Sequence, residues 1–244
     1  MGEMIKITSD EVIDAYLATP SGPVKGAIIV IHEVWALVDH IKAIADRFAG
    51  AGYTALASNL LSDVEFKTGE ISQLQQDLFK PETKSLVQPR LRELMSPTRE
   101  PEFAAKTIRS LKACFDYLYE IPEVNQKVAV IGFCFGGTYS FSLAVSEPRL
   151  KLALPFYGHA DQSVEELSKI NCQVKAFYGQ NDENLISALP DLSNRMMQAK
   201  VNFESKVYEG CGHAFFNDTN PITYNKLAAD DAWDRVLEAL TNTL

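Results

Sequence analysis

The chain has 244 residues, of which 46% are hydrophobic and 23% charged, a composition typical of a globular protein with a sizeable core. Its formal net charge of −9 argues against nucleic acid and anionic membranes as partners, because both favour positive patches. The longest aliphatic run, Ala27–Ile31, is far shorter than the roughly 20 residues that a membrane-spanning helix needs. The first residues lack the pattern of a secretory signal, so we expect a cytoplasmic protein.

The four cysteines include no CxxC pair, so the sequence favours neither a disulfide scaffold nor a zinc site. Cys114, Cys172 and Cys211 fit packing positions, and Cys211 lies two residues before His213. The motifs HExxH, Walker A and GxGxxG are missing from the sequence. We therefore expect no metal and no organic cofactor.

Apolar runs alternate with segments of helical periodicity from residue 24 onward. This pattern predicts an α/β protein whose mostly parallel sheet has helices on both faces, in three layers. In chain order, the predicted elements are a strand at 24–32, a helix at 39–50, a strand at 53–57, a helix at 103–119, a strand at 127–131, a helix at 136–146, strands at 150–157 and 173–178, a helix at 185–199, a strand at 203–208 and a helix at 228–244.

Residues 62–103 interrupt this alternation, because they are rich in charge and proline and carry little apolar periodicity. A loop of this length is often functional. We expect a single domain over residues 1–244, in which this excursion borders a pocket. A solvated surface insertion with a short helix or two is the alternative.

The strongest local signal is the motif GFCFGG at residues 132–137, which follows one predicted strand and opens a helix. A G-x-C-x-G turn between a strand and a helix places a nucleophile at its tip, and glycine is needed two positions to either side. The helix N-terminus favours a thiolate at Cys134. The backbone N–H of Phe135 would then face the oxyanion that develops on the substrate.

A base and an orienting acid follow Cys134 in the chain order expected of such enzymes. Asp182 comes after the predicted strand at 173–178, and His213 comes after the predicted strand at 203–208. Because the carboxyl ends of parallel strands lie at one edge of a sheet, the three side chains are expected to meet there. The sequence therefore predicts a Cys134–His213–Asp182 triad.

With these motifs the chain resembles the dienelactone hydrolase family of α/β-hydrolases over about residues 14 to 240. The matching segments are 132–137, 179–182, 212–215 and the His-Glu-Val-Trp run at 32–35. The resemblance implies that Glu33 helps to switch the Cys134 thiol to a thiolate when substrate binds. It also implies that the N–H of Val34 is the second oxyanion donor. A buried carboxylate paired with an arginine is the alternative for Glu33.

The sequence departs from the family where a substrate carboxylate would be bound. The resemblance implies two arginines, one within a few residues of the histidine, but the first arginine after His213 is Arg235. The other would lie in the 62–103 excursion, where the candidates are Arg90, Arg92 and Arg99. Further candidates for substrate contact are Trp35, Tyr157, His159 and Phe215.

The resulting expectation is a cysteine hydrolase of a lactone or small ester, acting on a small molecule as a monomer or small homo-oligomer. One alternative is a general or promiscuous esterase that also cleaves activated esters such as phosphotriesters, which the missing arginine favours. A second is a non-catalytic relative that binds a ligand or senses oxidation. The presence of Cys134, Asp182 and His213 together argues against the second alternative.

Overall fold

The structure, a computed structural model, describes residues 2–9, 12–62, 70–78 and 80–244. Among these residues, eight strands form one sheet, and helices flank it. The strands are β1 (Glu3–Thr8), β2 (Val12–Ala18), β3 (Ala27–Ile31), β4 (Thr54–Ser58), β5 (Val128–Phe133), β6 (Leu152–Phe156), β7 (Gln173–Gly179) and β8 (Phe203–Tyr208). The helices are α1 (Asp39–Gly50), α2 (Glu70–Leu78), α3 (Pro81–Leu94), α4 (Pro101–Tyr119), α5 (Phe135–Ser146), α6 (Val164–Leu167), α7 (Glu183–Gln198) and α8 (Lys226–Thr243).

The strand order across the sheet is β1-β2-β4-β3-β5-β6-β7-β8. Strands β3 to β8 pair in parallel, and β1 and β2 add two antiparallel pairings at one edge. The central strands β3, β5 and β6 are buried throughout, as expected for strands covered on both faces. The predicted mostly parallel α/β sheet is confirmed, with the ends of the predicted elements shifted by a few residues.

Helices cover both faces of the sheet and create two apolar cores, which gives the three predicted layers. On one face, α1 packs through Ile44 and Phe48 and α8 through Val236 and Leu240. On the other face lie the apolar sides of α4, α5 and α7, including the fully buried Phe115. The buried residues of α1, α4, α7 and α8 recur at helical spacing, so burial of one side stabilises each of these four helices.

The excursion at 62–103 is helical in its described part, and its prolines explain why its sequence resembles a loop. Pro81 and Pro101 are the first residues of α3 and α4, where the missing N–H of proline has no cost. Pro97 lies in the first turn of a short 3₁₀ helix at Ser96–Arg99, and Pro89 lies in the interior of α3. Residues 63–69 and 79 of the predicted excursion lie outside the described residues.

The hairpin of β1 and β2 and the short helix α6 are not among the predicted elements. The exposure of β1 explains why this strand was not predicted, because Ile7 is its one buried residue and Glu3, Met4, Lys6 and Thr8 are exposed. None of the helices formed by the described residues is long and apolar enough to cross a membrane.

Candidate active site

Cys134 occupies the tight turn between β5 and α5, as the glycine-rich motif predicts. Its backbone has φ 54° and ψ −111°, a conformation that costs free energy for any residue with a side chain. Two hydrogen bonds hold the turn: the Cys134 N–H donates to the Phe156 carbonyl at 3.0 Å, and the Thr138 N–H donates to the Cys134 carbonyl at 3.1 Å. The thiol is partly exposed, which makes it accessible to a substrate.

The glycines at either side of Cys134 are required by close backbone contacts. A Cβ atom on Gly132 would overlap the carbonyl of Gly136, and one on Gly136 would overlap the carbonyl of Ile31. The Gly136 N–H donates to the His32 carbonyl at 3.1 Å and ties the turn to the end of β3. The motif therefore fixes the position of Cys134 relative to β3.

The two predicted oxyanion donors belong to segments on either side of Cys134. Phe135 is the first residue of α5, so its N–H has no acceptor within the helix. Val34 follows β3 by three residues and lines the same cavity as Cys134. These positions are compatible with two backbone donors that face a carbonyl oxygen bound at Cys134.

His213 and Asp182 meet at the carboxyl ends of β8 and β7. Asp182 Oδ2 lies 2.5 Å from His213 Nδ1, and its carboxylate is largely buried. The two loops are joined by main-chain hydrogen bonds, since the Asn181 N–H donates to the Cys211 carbonyl at 2.8 Å. This pairing fixes the ring so that Nε2 is available to the nucleophile.

The third contact of the group joins His213 to Cys134. Burial disfavours the charged imidazolium, but the Cys134 thiolate and the Asp182 carboxylate outweigh it, and they raise the pKa of His213 to about 10. The Cys134 side chain is also hydrogen-bonded to His213. The structure therefore brings all three predicted residues together.

Glu33 is buried directly beneath this group, with only 3% of its surface exposed. The Tyr157 hydroxyl donates to Glu33 Oε1 at 3.3 Å, and the Asn217 amide donates to Oε2 at 2.6 Å. Burial raises the pKa of Glu33 to about 7, although the Asn217 amide, the charge of His213 and the Tyr157 hydroxyl each act in the opposite direction. Glu33 therefore takes up or releases its proton close to neutral pH.

The alternative in which Glu33 is paired with an arginine is wrong, since its hydrogen-bond partners are Tyr157 and Asn217. Asn217 stands four residues after His213, in the stretch where the resemblance implied an arginine. An uncharged amide thus stands in this stretch, and it contacts the carboxylate of Glu33. Asn217 is not among the residues that the motifs indicate, because no short-range pattern links it to Glu33, 184 residues earlier in the chain.

A cavity of about 390 Å³ opens above Cys134 and lies within the size range of small-molecule sites. Helices α2 and α3 contribute Leu78 and Leu91 to its wall, and the chain after His213 contributes further side chains. Among the described residues, the cavity is lined by Glu33, Val34, Trp35, Leu78, Leu91, Cys134, His213, Ala214, Asn220, Ile222 and Thr223. Trp35 is thus at the cavity, as expected of a substrate contact.

Three other candidates for substrate contact lie away from the lining. Tyr157 is buried with its hydroxyl on Glu33, so it touches the carboxylate rather than the cavity. Phe215 is fully buried, and its ring packs on Tyr208 and Tyr157 in the core. His159 is exposed, and its ring lies 3.1 Å from the Thr138 hydroxyl.

The three candidate arginines are also placed outside the lining. Arg90 on α3 is held by two carboxylates: it donates to Glu70 at 2.9 Å and to Glu93 at 2.9 Å. Arg92 and Arg99 have exposed side chains at the outer surface of the excursion. The excursion therefore presents leucine side chains to the cavity.

Within the described parts of the chain, no group of three or more His, Cys, Asp or Glu side chains has the arrangement of a metal site. The polar side chains that line the cavity are instead those of Glu33, Cys134, His213, Asn220 and Thr223.

A mostly parallel sheet with a G-x-C-x-G turn after β5, and with an aspartate and a histidine after β7 and β8, has the architecture of an α/β-hydrolase. The model of the family described as "Dienelactone hydrolase family" matches residues 13–244. The chain therefore belongs to the dienelactone hydrolase family, and it is a hydrolase related to enzymes of ester and lactone bonds.

Individual relatives agree with this assignment. A protein of Saccharolobus solfataricus named "Putative carboxymethylenebutenolidase" is 35% identical, over 92% of this chain and 91% of its own length. A solved structure named "Putative Dienelactone Hydrolase", from Klebsiella pneumoniae, has a TM-score of 0.81 at 23% identity and covers 99% of this chain and 98% of its own.

A second solved structure is similar over nearly its whole length. A "Dienelactone Hydrolase-like Promiscuous Phospotriesterase" from metagenomic libraries has a TM-score of 0.76 at 20% identity, and the match covers 100% of this chain and 98% of its own. At this identity the likeness concerns the fold.

Proposed function

We propose that the protein is a cysteine hydrolase that cleaves a lactone or small ester through a thioester intermediate. The observation that carries the proposal is that Cys134 and His213 both line the cavity, while His213 Nδ1 lies 2.5 Å from Asp182 Oδ2. Each of the three comes from a different loop at the carboxyl edge of the sheet, where α/β enzymes place their reacting groups.

In the first half of the reaction, the Cys134 thiolate attacks the carbonyl carbon of the substrate. The N–H groups of Phe135 and Val34 stabilise the oxyanion of the tetrahedral intermediate. When the intermediate collapses, the C–O bond breaks and the imidazolium of His213 gives its proton to the leaving alkoxide. The acyl group remains on sulfur, and for a lactone the released hydroxyl stays attached to it.

In the second half, neutral His213 takes a proton from water, and the hydroxide attacks the thioester carbonyl. The same two N–H groups stabilise the second oxyanion, and the acid leaves as the thiolate is restored. Asp182 holds the ring in the tautomer that both halves need.

Glu33 is the proton acceptor and donor that links the ionisation of Cys134 to the occupancy of the cavity. It lines the cavity beside Cys134, and its pKa of about 7 lets it exchange a proton near neutral pH. A thiol that ionises only when substrate is bound is protected from oxidation.

Comparison of two cysteine variants tests the proposal. Initial rates with 4-nitrophenyl acetate and with a dienelactone are measured for the wild type, Cys134→Ala and Cys172→Ala. Cys172 is a buried cysteine at the start of β7 and serves as the matched control. We expect activity to be lost with Cys134→Ala and retained with Cys172→Ala. Equal rates for wild type and Cys134→Ala would refute the assigned nucleophile.

A promiscuous esterase is a second candidate function, and the leucines that α2 and α3 present to the cavity favour it. The structural neighbour with phosphotriesterase in its name shares the fold with this chain. Hydrolysis of aryl esters that depends on Cys134, with no turnover of the dienelactone, would favour this function. Rapid oxidation of Cys134 without turnover of any ester would indicate a redox sensor instead.

A further inference from the structure

We propose that the substrate carries an uncharged, apolar acyl group, which binds between Trp35, Leu78, Leu91 and Ile222, and that a carboxylate on this group is rejected. The inference rests on the proposed hydrolase function and names the substrate class for it. It departs from the recognition of a carboxylate by arginine that the family resemblance implied.

The part of the cavity wall that α2 and α3 form is apolar. Leu78 ends α2 and Leu91 lies in the last turn of α3, and both line the cavity that also contains Cys134. Leu91 also packs with the buried cluster of Ala36, Leu61 and Met95, so its position is fixed by the core. An acyl chain placed here exchanges water for leucine and tryptophan side chains.

The charged groups described at the cavity have an excess of negative charge. Cys134 and His213 together carry no net charge whether their shared proton lies on sulfur or on the imidazole, which leaves the charge of Asp182 unbalanced. Glu33 adds a further negative charge when it ionises, and its partner Asn217 is uncharged. Among the described residues that line the cavity there is no lysine or arginine, so their field is negative and repels a second carboxylate.

The guanidinium of Arg90, an arginine of the excursion, is engaged by two carboxylates. Arg90 lies one residue from Leu91 in sequence, but its guanidinium is directed to Glu70 and Glu93. Bringing it to the cavity would break both ion pairs, one of them with the largely buried carboxylate of Glu70. The arrangement therefore keeps this positive charge away from the acyl group.

Three 4-nitrophenyl esters test the proposal: the butanoate, the hemisuccinate and the methyl succinate. The butanoate and hemisuccinate differ in a terminal methyl group against a carboxylate, and the methyl succinate is the uncharged control for added size. We expect kcat/KM for the butanoate to exceed that for the hemisuccinate by about 100-fold or more, since an unpaired charge is costly to desolvate. The methyl succinate should lie within about tenfold of the butanoate.

The length of the acyl chain gives a second measure of the same site. From acetate to hexanoate, each added methylene should raise kcat/KM by about three- to fourfold until the cavity is filled. A flat series, or equal rates on the butanoate and hemisuccinate, would overturn the proposal.

Substitution of the leucines should reverse the preference. Leu91→Arg is expected to raise the hemisuccinate-to-butanoate ratio by about tenfold or more, while Leu91→Gln, its uncharged control, should not. Leu78→Arg provides the same test from α2 if Leu91→Arg unfolds. An unchanged ratio in the folded arginine variants would contradict the assigned site.

Binding of unreactive analogues separates this inference from the proposed function. The 4-nitroanilides of butanoic and succinic acids quench Trp35 fluorescence when bound, and Trp233→Phe removes the other tryptophan. Tighter binding of the butananilide by about tenfold or more supports the apolar site even if Cys134→Ala retains activity. Equal affinities would overturn it even if Cys134 proves to be the nucleophile.

Discussion

Replacing Glu33 with glutamine should change the way in which stability depends on pH. The carboxyl group is buried, and its pKa in the folded protein is about 7, against an ordinary value of 4.5. Between these two values the folded protein holds a proton that the unfolded chain has lost. Stability must therefore fall as the pH rises through this interval, and the lost part is not regained above it.

The size of the effect follows from the two pKa values of Glu33. One pKa unit corresponds to about 1.4 kcal/mol, so ionising Glu33 in the folded state costs about 3 kcal/mol above neutral pH. Glu33→Gln removes this cost and still offers an acceptor to the Asn217 amide. The free energy of unfolding of the variant, minus that of the parent, should rise by about 3 kcal/mol from about pH 5 to about pH 9.

The assay is urea unfolding at a series of pH values, in a Cys134→Ser background that removes the thiolate from the neighbourhood of His213. Glu165→Gln is the matched control, because Glu165 is an exposed glutamate far from the cavity. The control difference should be flat with pH. A flat or falling difference for Glu33→Gln would refute the account of Glu33 as a carboxyl group that burial keeps protonated at acidic to neutral pH.

Further predictions concern the triad and the scaffold. Asp182→Asn should lower kcat by about 10³- to 10⁴-fold with KM little changed, because His213 loses its orienting acceptor; a loss below tenfold in steady-state kinetics would contradict the triad. Lys200 is exposed after α7, and its φ of 61° is strained for a residue with a side chain. In urea unfolding, its change to glycine should stabilise the protein by about 1 kcal/mol, whereas its change to alanine should not. A destabilised glycine variant would argue against strain at this residue. Arg149→Ala should lower the free energy of unfolding by about 2 kcal/mol at neutral pH. The change removes the half-exposed guanidinium that lies 2.7 Å from the buried carboxylate of Glu147. A loss that does not shrink on acidification, as Glu147 takes up its proton, would refute this cause.

The local chemistry of the site was predictable because it depends on short motifs at strand ends. The G-x-C-x-G turn needs glycine at Gly132 and Gly136 for steric reasons that operate within one strand and one helix. The parallel pairing of β5 to β8 then places Cys134, Asp182 and His213 at one edge of the sheet. Order along the chain was therefore enough to predict that they meet.

The environment of the site was less predictable because it depends on tertiary contacts. Nothing in the local sequence shows that Asn217 reaches back to Glu33 or that Leu91 faces the cavity rather than Arg90 or Arg92. Proline also misled the prediction, since Pro81 and Pro101 start helices in a segment that resembles a loop. The substrate contacts follow from how α2 and α3 pack, which no motif encodes.

The central claim is that the acyl group of the substrate becomes attached to the sulfur of Cys134. The direct test is to quench the wild type with acid during turnover of 4-nitrophenyl butanoate and to locate the added acyl mass by peptide mass spectrometry. The account predicts one butanoyl group on the peptide that contains Cys134, and none on the peptides of Cys114, Cys172 or Cys211. Turnover with no acyl group at Cys134, or with the group on another residue, would contradict it.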